Sequence, residues 1–245
     1  MEEATSLLST EEPLEAEVFA SVVAGIAYRL FADQPEVEGA FWADVLWTAE
    51  QEGSPRALAL LLALAALAPH RVAGTAEATA RRLLRGPAVR PPWAGAAGDA
   101  AFAGAWLMAP AGSDREVVVL CSQHPGRVPH ALFVVLDRRR QLALDAGLGV
   151  DAATALADSA RSLSPSEVRP IRRAVAAARL AGALAAADAG RGGGELTEDF
   201  CDLRALIAVR VAGPSRPTPD LGTGTWRPAA SPPAPVGVPA WPPPA

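Results

Sequence analysis

The chain has no lysine and no asparagine, and all 22 of its basic residues are arginine. Lys and Asn codons are A-rich, whereas those of Ala, Gly, Pro and Arg are GC-rich. Genome base composition accounts for this bias, so arginine abundance does not by itself imply phosphate binding. Cysteine is scarce: Cys121 and Cys201 are the only two, too few for a disulfide framework. The first lies in an apolar strand pattern and the second in a helical one, which suits buried free thiols in a reducing compartment. Long apolar runs are missing too. The most apolar, Ala57 to Ala68, covers 12 residues, against the roughly 20 that span a bilayer. The opening MEEATSLLSTEEP is acidic and has no positive n-region, unlike a signal peptide. A net charge of −5 gives no overall pull toward nucleic acid or anionic membrane. There is no G-x-S-x-G, no H-E-x-x-H and no dinucleotide- or nucleotide-binding glycine pattern. The glycines of 190–194 lack a strand-to-helix context and read as a linker. The expectation is a cytoplasmic protein without cofactor or membrane segment.

What is present is mostly helix. Ser9 and Glu12 have capping-box spacing, Pro13 suits a first turn, and Glu11, Glu12, Glu15 and Glu17 match the positive end of a helix dipole. Leu14, Val18, Val22, Ile26 and Leu30 recur every four residues and predict the inner face of that helix. After Asp33 and Pro35, Val37, Phe41, Val45 and Ala49 line a second helix, with Trp42 and Trp47 read as core anchors. Gly53-Ser54-Pro55 combines a helix-ending glycine, an N-cap serine and a first-turn proline. The following helix, Pro55 to Ala68, is apolar almost all round and should be central. A fourth is predicted from Thr75 to Arg85, with Ala76, Ala80, Leu83 and Leu84 inward. Residues 86–100 form a Pro/Gly/Ala connector that Trp93 should pin down.

Between Arg115 and Asp137 two apolar runs, Val117–Leu120 and Ala131–Leu136, flank a Ser/Gln/His/Pro/Gly/Arg loop, the pattern of a β-hairpin. Neither run alternates, so helices should cover both faces. A lone hairpin would be marginal, which predicts a third strand at 102–108 and a fourth near Leu142–Leu144. Asp151 caps a short helix. Ser164-Pro165-Ser166-Glu167 predicts the start of a helix to about Ala187, with Val168, Ile171, Val175 and Ala178 on one side and Arg169, Arg172, Arg173 and Arg179 on the next arc. Thr197 caps a last helix with Phe200, Leu203, Ile207 and Val211 inward. From Pro214 onward the chain holds 11 of its 23 prolines and no periodicity, which predicts disorder with polyproline-II character. The fold class is α+β: a four-helix bundle at 11–86, a small antiparallel sheet with helices at 101–212, and a disordered proline-rich tail at 213–245.

Chemistry has few places to gather. Cys121, His124 and His130 lie close in the hairpin, and Cys121 facing His130 with His124 at the tip would offer three N/S ligands to a metal. Their C-x2-H-x5-H spacing matches no strong zinc signature. His130 and Asp137 are seven apart on one strand and point to opposite faces. Arg138, Arg139 and Arg140, joined by Arg169–Arg179, would make a basic surface, without the aromatics that stack on single strands. Trp226 and Trp241, within the tail, suit docking to an aromatic groove of a protein partner.

The feature order resembles a family of actinobacterial proteins without an assigned activity. The matching residues are Pro91-Pro92-Trp93, Ser113-Asp114, Val117–Leu120 and His130-Ala131-Leu132-Phe133-Val134-Val135-Leu136-Asp137, within residues 15 to 160. That family carries Asp-Val-Tyr-Gly-Asp-Gln before the first hairpin strand and Asp-His-Asn after the second. Leu107–Asp114 and Asp137-Arg138-Arg139 keep few of those polar positions. The resemblance implies the fold and the origin, and a degraded site if relatives have one. The leading expectation is a non-catalytic protein acting through protein–protein contact. The alternatives are a metal-binding or hydrolase-like domain at Cys121, His124 and His130, and nucleic-acid contact through the arginines, with nucleic acid the less expected partner.

Overall fold

A computed structural model describes residues 7–31, 34–161, 163–164, 167–190 and 196–213. Asp33, Pro165, Ser166, most of the glycine run and the whole proline-rich segment with Trp226 and Trp241 lie outside them.

Four helices come first: α1 (Pro13–Leu30), α2 (Pro35–Glu52), α3 (Pro55–Leu67) and α4 (His70–Leu83). Ser54 closes the first turn of α3 by accepting a hydrogen bond from the Ala57 amide, and Gly53 takes the left-handed conformation that ends α2. As its composition predicts, α3 is central, with Leu58, Ala59, Leu61, Ala63 and Leu64 fully buried. Pro69 forces Ala68 into an extended conformation and stops α3 there. The same proline starts α4 at His70, five residues before the position expected from apolar spacing.

The α1 face differs from the prediction. Ala16, Glu17, Ala20, Ser21, Gly25, Ala27 and Tyr28 are buried, whereas Ile26 and Leu30 are exposed. The small residues let α1 press against another helix, α7 (Glu198–Ala212). A methyl group on Gly25 would lie 2.5 Å from the Cys201 carbonyl oxygen and 2.7 Å from Asp202 Cα. Only one of the two α2 tryptophans is a core anchor: Trp42 is buried and Trp47 is 61% exposed. Trp93, buried in a short 3-10 turn, donates to the Leu7 carbonyl at 2.7 Å and pins the connector as expected.

The sheet has five antiparallel strands, β1 (Ala101–Met108), β2 (Arg115–Gln123), β3 (His130–Asp137), β4 (Leu142–Gly149) and β5 (Val168–Pro170), in the order β4-β3-β2-β1-β5. The hairpin and both further strands are those predicted. One face carries Leu107, Val118, Leu120, Leu132, Val134 and Leu136 into the main core with α3, α6 (Arg173–Ala189) and α7. The other carries Met108, Val119, Cys121 and Ala131 onto α5 (Ala152–Ala160).

β5 replaces the start of the helix predicted after Ser164. Glu167 does reach back to the Ser164 amide at 2.7 Å, the reciprocal half of a capping box. Pro170 has no amide hydrogen to give a helix interior, but it is tolerated on a sheet edge. Residues 168–170 therefore pair with β1, and α6 begins at Arg173.

Candidate functional site

Strand register decides the fate of the hairpin cluster. Ser122 lies opposite His130, and Cys121 opposite Ala131. Because side chains alternate, His130 points into the main core and Cys121 to the α5 side. The expected facing of Cys121 and His130 is therefore not formed. Among the described residues no group of three or more His, Cys, Asp or Glu is arranged to hold a metal ion. Burial pushes the Cys121 thiol up to about 12, so it stays protonated at neutral pH. Asp137 serves the β3–β4 turn, accepting from the Arg139 and Arg140 amides.

The two hairpin histidines instead meet partners from the two ends of the chain. His124 and His130 stack with ring centroids 5.4 Å apart. Glu17 of α1, fully buried, accepts from His124 Nε2 at 3.0 Å and from the Gly98 amide at 2.7 Å through Oε1. Its Oε2 takes the Nη2 group of Arg210, on α7. The same Nη2 lies 3.4 Å from His130 Nε2. An arginine has no lone pair to offer, so His130 accepts there and carries its proton on Nδ1. Burial first, then the charges of Arg210 and His124, push His130 down to about 3. Burial alone would raise Glu17. The His124 hydrogen bond and the Arg210 charge outweigh it and hold the carboxyl below its ordinary value. The result is an ionised Glu17–Arg210 pair with a neutral His130, sealed between α1, α7 and the β2–β3 loop.

Glu17 and Arg210 were not among the candidates legible in the sequence. Glu17 read as a dipole-matching charge, and no motif or spacing singled out Arg210. The available signal was positional. Arg210 continues the row Leu203, Leu206, Ile207 at helical spacing, and Glu17 sits among Ala16, Ala20 and Ser21.

Two of the predicted basic residues, Arg138 and Arg179, converge on a carboxylate. Arg179 bonds Glu116, which is buried, and Arg138 Nε lies 3.7 Å from the same side chain. Arg139 pairs with Asp114 at 2.9 Å. Arg138 and Arg139 make these contacts at the surface, with 48% and 77% of their side chains exposed.

Beside the buried pair, Gly98, Ala100, Phe102, Ser122, Arg173, Val209, Arg210 and Gly213 line a hollow of about 10 Å³. A shallow neighbouring depression of about 290 Å³ shares Gly98, Val209 and Gly213 with it. No described helix is long and apolar enough to cross a membrane. No protein-family model, curated protein or solved structure matches the chain.

Proposed function

We propose that this protein is non-catalytic and acts by binding another protein, with the folded body as a stable carrier for the proline-rich segment 214–245. One observation carries the reading. The groups best suited to acid–base work, Glu17, His124 and His130, are buried and already bonded to one another or to Arg210. A general acid or base must reach a substrate proton within hydrogen-bond distance, and none of these three lines either of the hollows formed by the described residues. The interior network locks the fold instead. Recognition then falls to the segment with the composition for it: eleven prolines with Trp226 and Trp241, matching the preformed extended ligands that aromatic grooves accept.

The test uses the full-length chain as bait in its native cytosol. A partner retained by the wild type, lost by a Trp226→Ala/Trp241→Ala variant and displaced by a free peptide of residues 226–245 supports the reading. Retention indifferent to both changes overturns it.

A further inference from the structure

Arg210 has more donors than the fold satisfies. It is 5% exposed, and its Nη2 is spent on Glu17. Its Nε and Nη1 are buried and meet no acceptor among the described residues. Glu17 accepts from Nη2 and not from either of these two groups; its Oε1 is taken by His124 and Gly98. Unmet guanidinium donors are costly inside a protein, and buried ones occur mainly where something else supplies the acceptor.

The hollow beside Arg210 gathers a second cation. Arg173 lines it, with its guanidinium carbon 5.6 Å from the Phe102 ring centroid, and forms no ion pair with a described residue. Gly213, at φ +84°, hugs that guanidinium so closely that a Cβ there would collide with it. Ser122, a buried residue with a hydroxyl, completes the polar lining. Two guanidinium groups thus line one hollow, and no carboxylate is among its lining residues. Two cationic groups with no acidic residue in the lining favour an anion over a neutral water molecule.

We propose that this hollow binds a small monovalent anion, a halide or the carboxylate of a small molecule, between Arg210, Arg173 and Ser122. Its volume of about 10 Å³ admits a single atom. A carboxylate would enter by one oxygen. Any aliphatic remainder would lie in the adjoining depression, whose lining includes Ala65, Ala66, Ala97 and Ala212.

The experiment follows the thermal midpoint of the protein against chloride, acetate and butyrate, with isethionate, a sulfonate and so neither halide nor carboxylate, keeping ionic strength constant. Binding to the folded state alone raises the midpoint saturably with ligand concentration. The expected result is such a rise in at least one series, with apparent affinity at least tenfold weaker in Arg173→Gln and in Ser122→Ala, both checked for folding by circular dichroism. Butyrate stronger than acetate and chloride assigns the site to an aliphatic carboxylate; equal responses assign it to the free anion. No saturable rise in any series, or a rise the two variants leave unchanged, overturns the proposal.

Discussion

At the scale of single residues, the stability of this fold should depend on charges it hides. Replacing Glu17 by Gln leaves Arg210 charged, buried and without its carboxylate, and breaking one side of a buried pair costs about 3–5 kcal/mol. Urea unfolding should show that loss for Glu17→Gln. The double variant Glu17→Leu/Arg210→Met should recover most of it, because no uncompensated charge remains. His130 adds a pH dependence of definite sign. Its folded value of about 3 lies below the ordinary 6.5, so the unfolded chain binds a proton that the folded chain refuses. Stability is therefore full above about pH 6.5 and falls as pH drops toward 3, by up to about 1.4 kcal/mol per pH unit. Glu17, also held low, adds its own loss below its ordinary 4.5. A His130→Gln variant should flatten the decline between pH 6.5 and 4.5 while leaving the more acidic part; an unchanged slope would remove His130 as its source.

Among the elements, the α1–α7 contact leaves no room for a side chain at Gly25. Gly25→Ala should destabilise by about 1–3 kcal/mol, the usual cost of overpacking, since the added carbon meets the α7 backbone at Cys201 and Asp202. Gly182, in α6 with open space around its Cβ position, is the internal control. Gly182→Ala should stabilise by about 0.5–1 kcal/mol, so a loss at both sites would point to α-helix effects unrelated to the contact. These two glycines also show what the sequence made legible. Elements defined by local chemistry could be read directly: the Gly53-Ser54-Pro55 junction, the all-apolar α3, the hairpin and its two extra strands. The α1 face could not be, because burial there selects small residues for close approach instead of large ones for area. That reversal put Ile26 and Leu30 outside and concealed Glu17. The β5 segment was misread because a genuine capping contact at Ser164 outweighed Pro170, whose missing amide decides the matter. For the site, spacing placed His124 and His130 near each other in the hairpin. Their partners came from 107 residues upstream and 80 downstream, a separation that periodicity does not reach.

For the molecule as a whole, the two ends of the folded chain are fastened to each other. Glu17 meets Arg210, the Leu206 amide donates to Ser21 Oγ at 3.1 Å, Tyr28 donates to the Ala187 carbonyl at 3.1 Å, and Arg29 pairs with Asp202 at 2.9 Å. The main core likewise runs without a break from α1–α4 through the sheet to α6 and α7. The connector at 86–100 reads in sequence as a domain boundary, yet Trp93 and Gly98 within it bind Leu7 and Glu17. Helices α1–α4 on their own would expose the face of α1 that α7 covers, including the Glu17 carboxylate. Unfolding should therefore be one cooperative transition. In urea, tryptophan fluorescence, which reports Trp42 and Trp93 on the helical side and Trp106 in the sheet, should coincide with far-ultraviolet circular dichroism at a single midpoint. Two separated midpoints would mean that the helices and the sheet hold themselves up independently, and the buried Glu17–Arg210 pair would then be a seam between lobes rather than part of a shared interior.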